Sequence, residues 1–219
     1  MVVFITFLLA SIFFAFINIK MSNEMKKLAS DEAYDEIISR LPSNKEICEE
    51  FQNMLGTNCE IAVDDESKSS AYIFFLNKII LSNTPDSKKN FSRILFIAHE
   101  CVHSVQSKNL HISNFILKNI VNIFTVVLFV LLCMNKITLD ICMVYFLISF
   151  ISFCVNMAME SDAIYRSLIL SRRYLEKYNC PDIADRYEYI IPKTAIGMFF
   201  RYASFSIYTI FILTISLII

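Results

Sequence analysis

The chain has 219 residues, of which 56% are hydrophobic and 19% charged, with a formal net charge of −1 and only two glycines. Lysines and arginines are scattered, which excludes a nucleic-acid-binding surface, and the clustered apolar residues exclude a small soluble domain. Seven cysteines show no regular pairing and no C-x-x-C, a pattern of a reduced compartment rather than a disulfide framework. A chain of this length is by default one domain, here a membrane-embedded one over 1–219.

Val2 to Ile19 is free of charge and long enough to span a bilayer. No lysine or arginine precedes it and no small-x-small cleavage site ends it, so it reads as a retained anchor rather than a signal peptide. Lys20, Lys26 and Lys27 follow at once, which places the N-terminus outside and residues 20–115 in the cytoplasm. Ile37, Ile38 and Leu41 recur at helical spacing and stop before Pro42. Ser43-Asn44-Lys45-Glu46 is a capping box opening a short helix, with Ile47, Phe51, Met54 and Leu55 inward and Gly56 as its stop. Cys59 to Val63 reads as a strand, and Asp64 to Ser70 as a turn. Tyr72 to Leu76 with Ile79 to Leu81 reads as a second strand, or a hairpin around Asn77-Lys78.

A helix is then expected from near Asp86 or Ser87, and it carries Ala98-His99-Glu100-Cys101-Val102-His103-Ser104-Val105-Gln106. In this H-E-x-x-H arrangement, His99 and His103 are four apart and leave the same helical face, where both imidazoles can share one metal ion. Glu100 projects roughly a quarter-turn round from His99, within reach of a water on that ion. Zinc needs neutral nitrogen ligands, an open position and a nearby base to split an amide, and this spacing supplies two ligands and the base. The chain holds three histidines, and two of them fall here. A buried helix carrying two histidines for ordinary hydrogen bonds is the alternative.

Two further spans, 116–134 and 139–157, are joined by Asn135-Lys136-Ile137-Thr138, too short for anything but a tight helical hairpin. Residues 160–195 are polar and arginine-bearing, hence cytoplasmic, and a last span, 196–219, carries Arg201 near its start. A membrane hairpin returns the chain to the side it left, so residue 160 can meet His103. A carboxylate at that depth is costly unless paired or bound, which makes Glu160 the first choice of third ligand. A water-exposed helix end is its alternative. Asp162 and Arg166 are four apart and read as a helical ion pair, while His111 reads as an interfacial histidine.

The order of anchor, small cytosolic unit, A-H-E-x-x-H-x-x-Q, helical hairpin, E-x-D-A-x-x-R and final span resembles the bacterial membrane neutral zinc metallopeptidases, the YugP-like group. Ala98, His99, Glu100, His103 and Gln106 match the first motif; Glu160, Asp162, Ala163 and Arg166 match the second. Lys78 to Ser82 is similar to the strand before the family's motif helix. The resemblance implies a gluzincin-type site with His99, His103 and Glu160 on zinc. Val102 stands where the family usually has glycine, and Tyr72-Ile73-Phe74-Phe75 replaces an acidic, aromatic turn. Tyr202 is similar to a family tyrosine; a phenol there can donate to an oxyanion or serve as an interface anchor. Gln106, on the histidine face, is either a partner of the histidines or an ordinary polar helix residue.

The expectation is a mainly α-helical membrane protein of four spans with a small cytoplasmic helix-plus-strand unit. Its function is read as a zinc endopeptidase acting on peptide or membrane-protein substrates at the cytoplasmic interface of the bilayer. Glu100 is the base and Tyr202 a candidate catalytic donor. The rival readings are a scaffold stapled by a metal or by its histidines, and a substrate-binding pseudo-protease.

Overall fold

The computed structural model describes residues 9, 12–13, 15–17, 19–21, 23–24, 34–67, 69–83, 92–189, 192, 196–197 and 199. The fold is mainly helical with one small three-stranded sheet. The chain divides into two compact units: Met1–Ser22, Asn109–Met159 and Ile196–Ile219 form one, Asn23–Lys108 and Glu160–Ala195 the other. Their limits follow the alternation of apolar and polar segments. Arg201, Tyr202, the helix start near Asp86 and much of segments 2–19 and 196–219 lie outside the described residues.

In the polar unit, α1 (Asp35–Arg40) stops at Leu41, whose ψ of 156° is the extended backbone that a following proline imposes. Helix α2 (Asn44–Leu55) begins with both bonds of the capping box between Ser43 and Glu46, and ends on Gly56 at φ 65°. Asn44, Ile47, Cys48, Phe51 and Gln52 form its buried face. Met54, expected inward, is 41% exposed because it falls at the edge of the stripe those residues define. Gln52 locks the helix to the next strand: its amide accepts from Cys59 N–H and donates to Cys59 C=O, each at 3.1 Å.

Strands β1 (Glu60–Asp64), β2 (Ala71–Ile73) and β3 (Lys78–Ser82) make a sheet of order β1-β3-β2, parallel between β1 and β3 and antiparallel between β2 and β3. The hairpin turns through Phe74–Asn77 with Asn77 at φ 48°, so β2 is shorter than the alternation of its sequence suggests. Ile79 and Leu81 are fully buried. Helix α3 (Arg93–Val105) packs on α2, β2 and β3.

Arg93 ties these elements at their ends. It is 5% exposed and donates to Asn44 Oδ1 (2.9 Å) and to the carbonyls of Ile38 (2.7 Å) and Leu41 (3.3 Å). Asn44 in turn donates to Ser82 C=O at 2.9 Å. Burial pulls the guanidinium pKa down from its ordinary value, with the Tyr174 and Tyr187 phenols opposing. Removing a buried hydrogen-bonded charge strands its partners. Arg93→Met is therefore expected to cost about 3 kcal/mol of stability, read as earlier thermal unfolding of the detergent-purified protein. Lys45→Met, on an exposed i,i+4 pair with Glu49, should change it by less than about 0.5 kcal/mol.

The apolar unit is built on α4 (Lys108–Cys133) and the first part of α5 (Leu139–Lys177). The link closes as expected: Asn135 takes φ 54°, and the Lys136 N–H returns to Leu131 C=O at 2.9 Å. Val121, Leu128 and Tyr145 pack together with Phe124, Ile137, Ile141, Cys142 and Ile148. The Tyr145 hydroxyl meets Thr125 Oγ1 at 3.0 Å, and Asn114 donates to Asn156 at 3.3 Å. Most other apolar side chains face outward, Ile123 at 65% and Phe129 at 66% exposure among them. Among the described residues two helices, not four, are long and apolar enough to cross a membrane. Neither ends at the limits expected for its span. Helix α4 starts eight residues before Ile116, and α5 continues past Met157 to Lys177 without a break.

Candidate metal centre

Helix α3 is buried on most sides by Ile94, Leu95, Ile97, Ala98, Cys101 and Val102. Val102 is fully buried in this helix. The remaining face carries a part-buried His99 and a buried His103, with ring centroids 4.5 Å apart and planes at 87°. Their Nε2 atoms lie 3.0 Å from each other.

Glu160, on α5, completes the group. Its Oε2 is 3.3 Å from His99 Nε2 and 3.7 Å from His103 Nε2. Neighbouring ligands on a tetrahedral ion with bonds of about 2.0–2.1 Å are separated by about 3.3 Å, and the three observed spacings bracket that value. The donor set, two imidazoles and one carboxylate, can hold a metal ion. Burial works against the Glu160 carboxylate, but hydrogen bonds and charge from His103 and His99 hold it well below the usual carboxylate range. Burial likewise disfavours a charged His103, yet Glu160, Gln106 and Glu100 outweigh it and raise its pKa.

Glu100 stands beside this group with a partner of its own. The main-chain N–H of Tyr72, on β2, donates to Glu100 Oε2 at 2.7 Å. Burial raises the Glu100 pKa, while the two histidines and the Tyr72 bond pull the other way. A carboxylate with raised basicity next to a metal-binding group is suited to accept a proton.

Behind His103, Gln106 Oε1 lies 2.8 Å from His103 Nδ1, and Gln106 Nε2 donates to Asp162 at 2.8 Å. Asp162 also faces Arg166 at 3.6 Å, the expected helical pair. Its second bond, to Gln106, was not legible in the sequence, because it joins residues 56 positions apart. The Tyr72 bond had no signal either, since a main-chain N–H is common to almost every residue type. His111, in α4, is buried and is not part of the three-residue group.

Comparison with protein-family models, with curated proteins and with solved structures finds no match.

Proposed function

We propose that this chain is a zinc-dependent membrane endopeptidase that hydrolyses peptide bonds at the cytoplasmic interface of the bilayer, as its resemblance to the YugP-like metallopeptidases implies. The observation that supports it is the convergence of His99 Nε2, His103 Nε2 and Glu160 Oε2 beside a half-buried glutamate held by the Tyr72 N–H. His99, His103 and Glu160 would hold the ion, with a water beside it. A bound zinc ion supplies Lewis acidity, polarising the scissile carbonyl and acidifying that water. Glu100 Oε2 is engaged by the Tyr72 N–H, so Oε1 is the atom assigned to take the water's proton and pass it to the leaving amine. Tyr202, the candidate oxyanion donor of the sequence reading, lies outside the described residues.

The deciding measurement is metal content. The detergent-purified parent protein should carry about one zinc ion per chain, and a His99→Ala, His103→Ala double variant should carry none. Equal zinc in the two proteins removes the site.

In this reading α4 and the first part of α5 are two of four spans, segments 2–19 and 196–219 supply the others, and both termini lie outside. The tip of the hairpin between α4 and α5 is then extracellular and the sheet cytoplasmic. Lys136 is the better probe there, since Asn135 has positive φ. In a cysteine-free background, a membrane-impermeant thiol reagent should label Lys136→Cys in intact cells and leave Glu66→Cys untouched. Labelling of the Glu66→Cys protein reverses the topology.

A further inference from the structure

The hydrogen-bond chain behind His103 has its donor and acceptor directions forced from its outer end. We propose that Gln106, oriented by Asp162, is a positioning residue that fixes His103 in the tautomer able to bind metal through Nε2; this rests on the metal reading above.

Asp162 faces Arg166 at 3.6 Å, and a carboxylate only accepts. Gln106 must present its NH2 to it, as the 2.8 Å contact from Nε2 to Asp162 Oδ2 records. That orientation turns the amide oxygen to His103 Nδ1 at 2.8 Å. An amide oxygen also only accepts, so Nδ1 carries the proton. Neutral imidazole protonated at Nδ1 keeps its lone pair on Nε2, the atom that faces His99 and Glu160. With the proton on Nε2 instead, an N–H would point at the ion's position.

The placement of the parts fits this role. Gln106 and His103 are both 8% exposed, so bulk water is poorly placed to substitute for the bond between them, while Asp162 anchors the exposed end of the chain. Gln106 is the C-cap of α3, with extended backbone at φ −71° and ψ 157°, and its side chain meets the residue one turn before it. On α5, Glu160 and Asp162 are two apart and diverge by about 200°. One carboxylate can point directly at the metal position, and the length of Gln106 carries the influence of the other.

Two readouts on the full-length, detergent-purified protein test the relay: zinc affinity by competition with a chromophoric chelator, and nitrogen NMR of the metal-free, 15N-histidine-labelled chain. Only three histidines contribute signals. Gln106→Leu should weaken zinc binding by about 10–100-fold, and Asp162→Asn should weaken it in the same direction by freeing the amide to flip. Gln106→Glu combined with Asp162→Asn should recover most of the loss. The carboxylate at 106 then accepts from both the His103 Nδ1–H and the amide at 162. At a pH alkaline enough for His103 to be neutral, the ring in the parent should be protonated at Nδ1, and Asp162→Asn should bring in the other tautomer. Parental zinc affinity in Gln106→Leu, no recovery in the combined variant, or an Nε2–H tautomer in the parent overturns the relay while leaving the metal site intact. If Gln106→Leu does not fold, Asp162→Asn and the combined variant decide the point. A parent that takes up no zinc sinks the metal reading, and the NMR tautomer alone then judges the relay.

Discussion

Glu100→Gln is expected to keep its zinc and its fold while losing turnover by about 10²–10⁴-fold, the usual contribution of a positioned general base. The amide oxygen can still accept the Tyr72 N–H that now holds Oε2 at 2.7 Å. That orientation places NH2 where the water's proton must go, and NH2 is a donor. Stability should not fall. Burial raises the Glu100 pKa on folding, and a carboxyl so shifted costs stability when ionised, above its folded pKa, and nothing when protonated below its unfolded one. A neutral amide removes that cost at neutral pH. Turnover is read on a mixture of quenched fluorescent peptides, with zinc content and thermal unfolding measured on the same preparations. A scaffold stapled by metal would be indifferent to the change. Hydrolysis by Glu100→Gln equal to the parent's, after contaminating peptidases are excluded, would falsify the mechanism.

Glu160→Gln should lower zinc affinity by more than about 100-fold, beyond the 10–100-fold typical of groups that act behind a ligand. The amide is a poorer donor atom and removes the negative charge that offsets the cation. The same change removes a carboxylate that His99 and His103 favour at 3.3 Å and 3.7 Å, so at neutral pH the metal-free fold should lose some stability as well. Glu176→Gln is the matched control: that carboxylate sits on the same helix but pairs with Arg172 at the surface. Competition with a chelator of known affinity reads both. If Glu160→Gln binds zinc as tightly as the Glu176→Gln control, the third ligand lies elsewhere.

Those two residues differ in how visible they were in the sequence. Glu100 follows from helical periodicity alone: His99 and His103 share a face at four-residue spacing, and Glu100 falls beside them wherever the helix is placed. Glu160 needed the membrane hairpin as well. The tight link at 135–138 made residue 160 a plausible neighbour of His103, yet only the packing of α5 brings its carboxylate onto the histidine nitrogens. The hairpin of β2 and β3 stood between these cases. Its existence was legible, but the turn at Phe74–Asn77 was misplaced by the run of β-forming residues at 72–75.

By itself, the sequence determined what is local. The capping box of Ser43 and Glu46, the glycine stop at Gly56, the hairpin link and the i,i+4 histidine pair depend on residues within about a turn of one another, so short-range sterics and hydrogen bonding suffice. Tertiary structure alone decided which distant groups meet. Arg93 reaches Asn44 across 49 positions, Tyr72 reaches Glu100 across 28, and Gln106 reaches Asp162 across 56. Each partner has an ordinary local role to play, as a helix start, a strand residue or one half of a surface ion pair. What selects the long-range bond is burial: as α2, α3, α5 and the sheet close on one another and exclude water, an unpaired polar group there costs more than any local alternative returns.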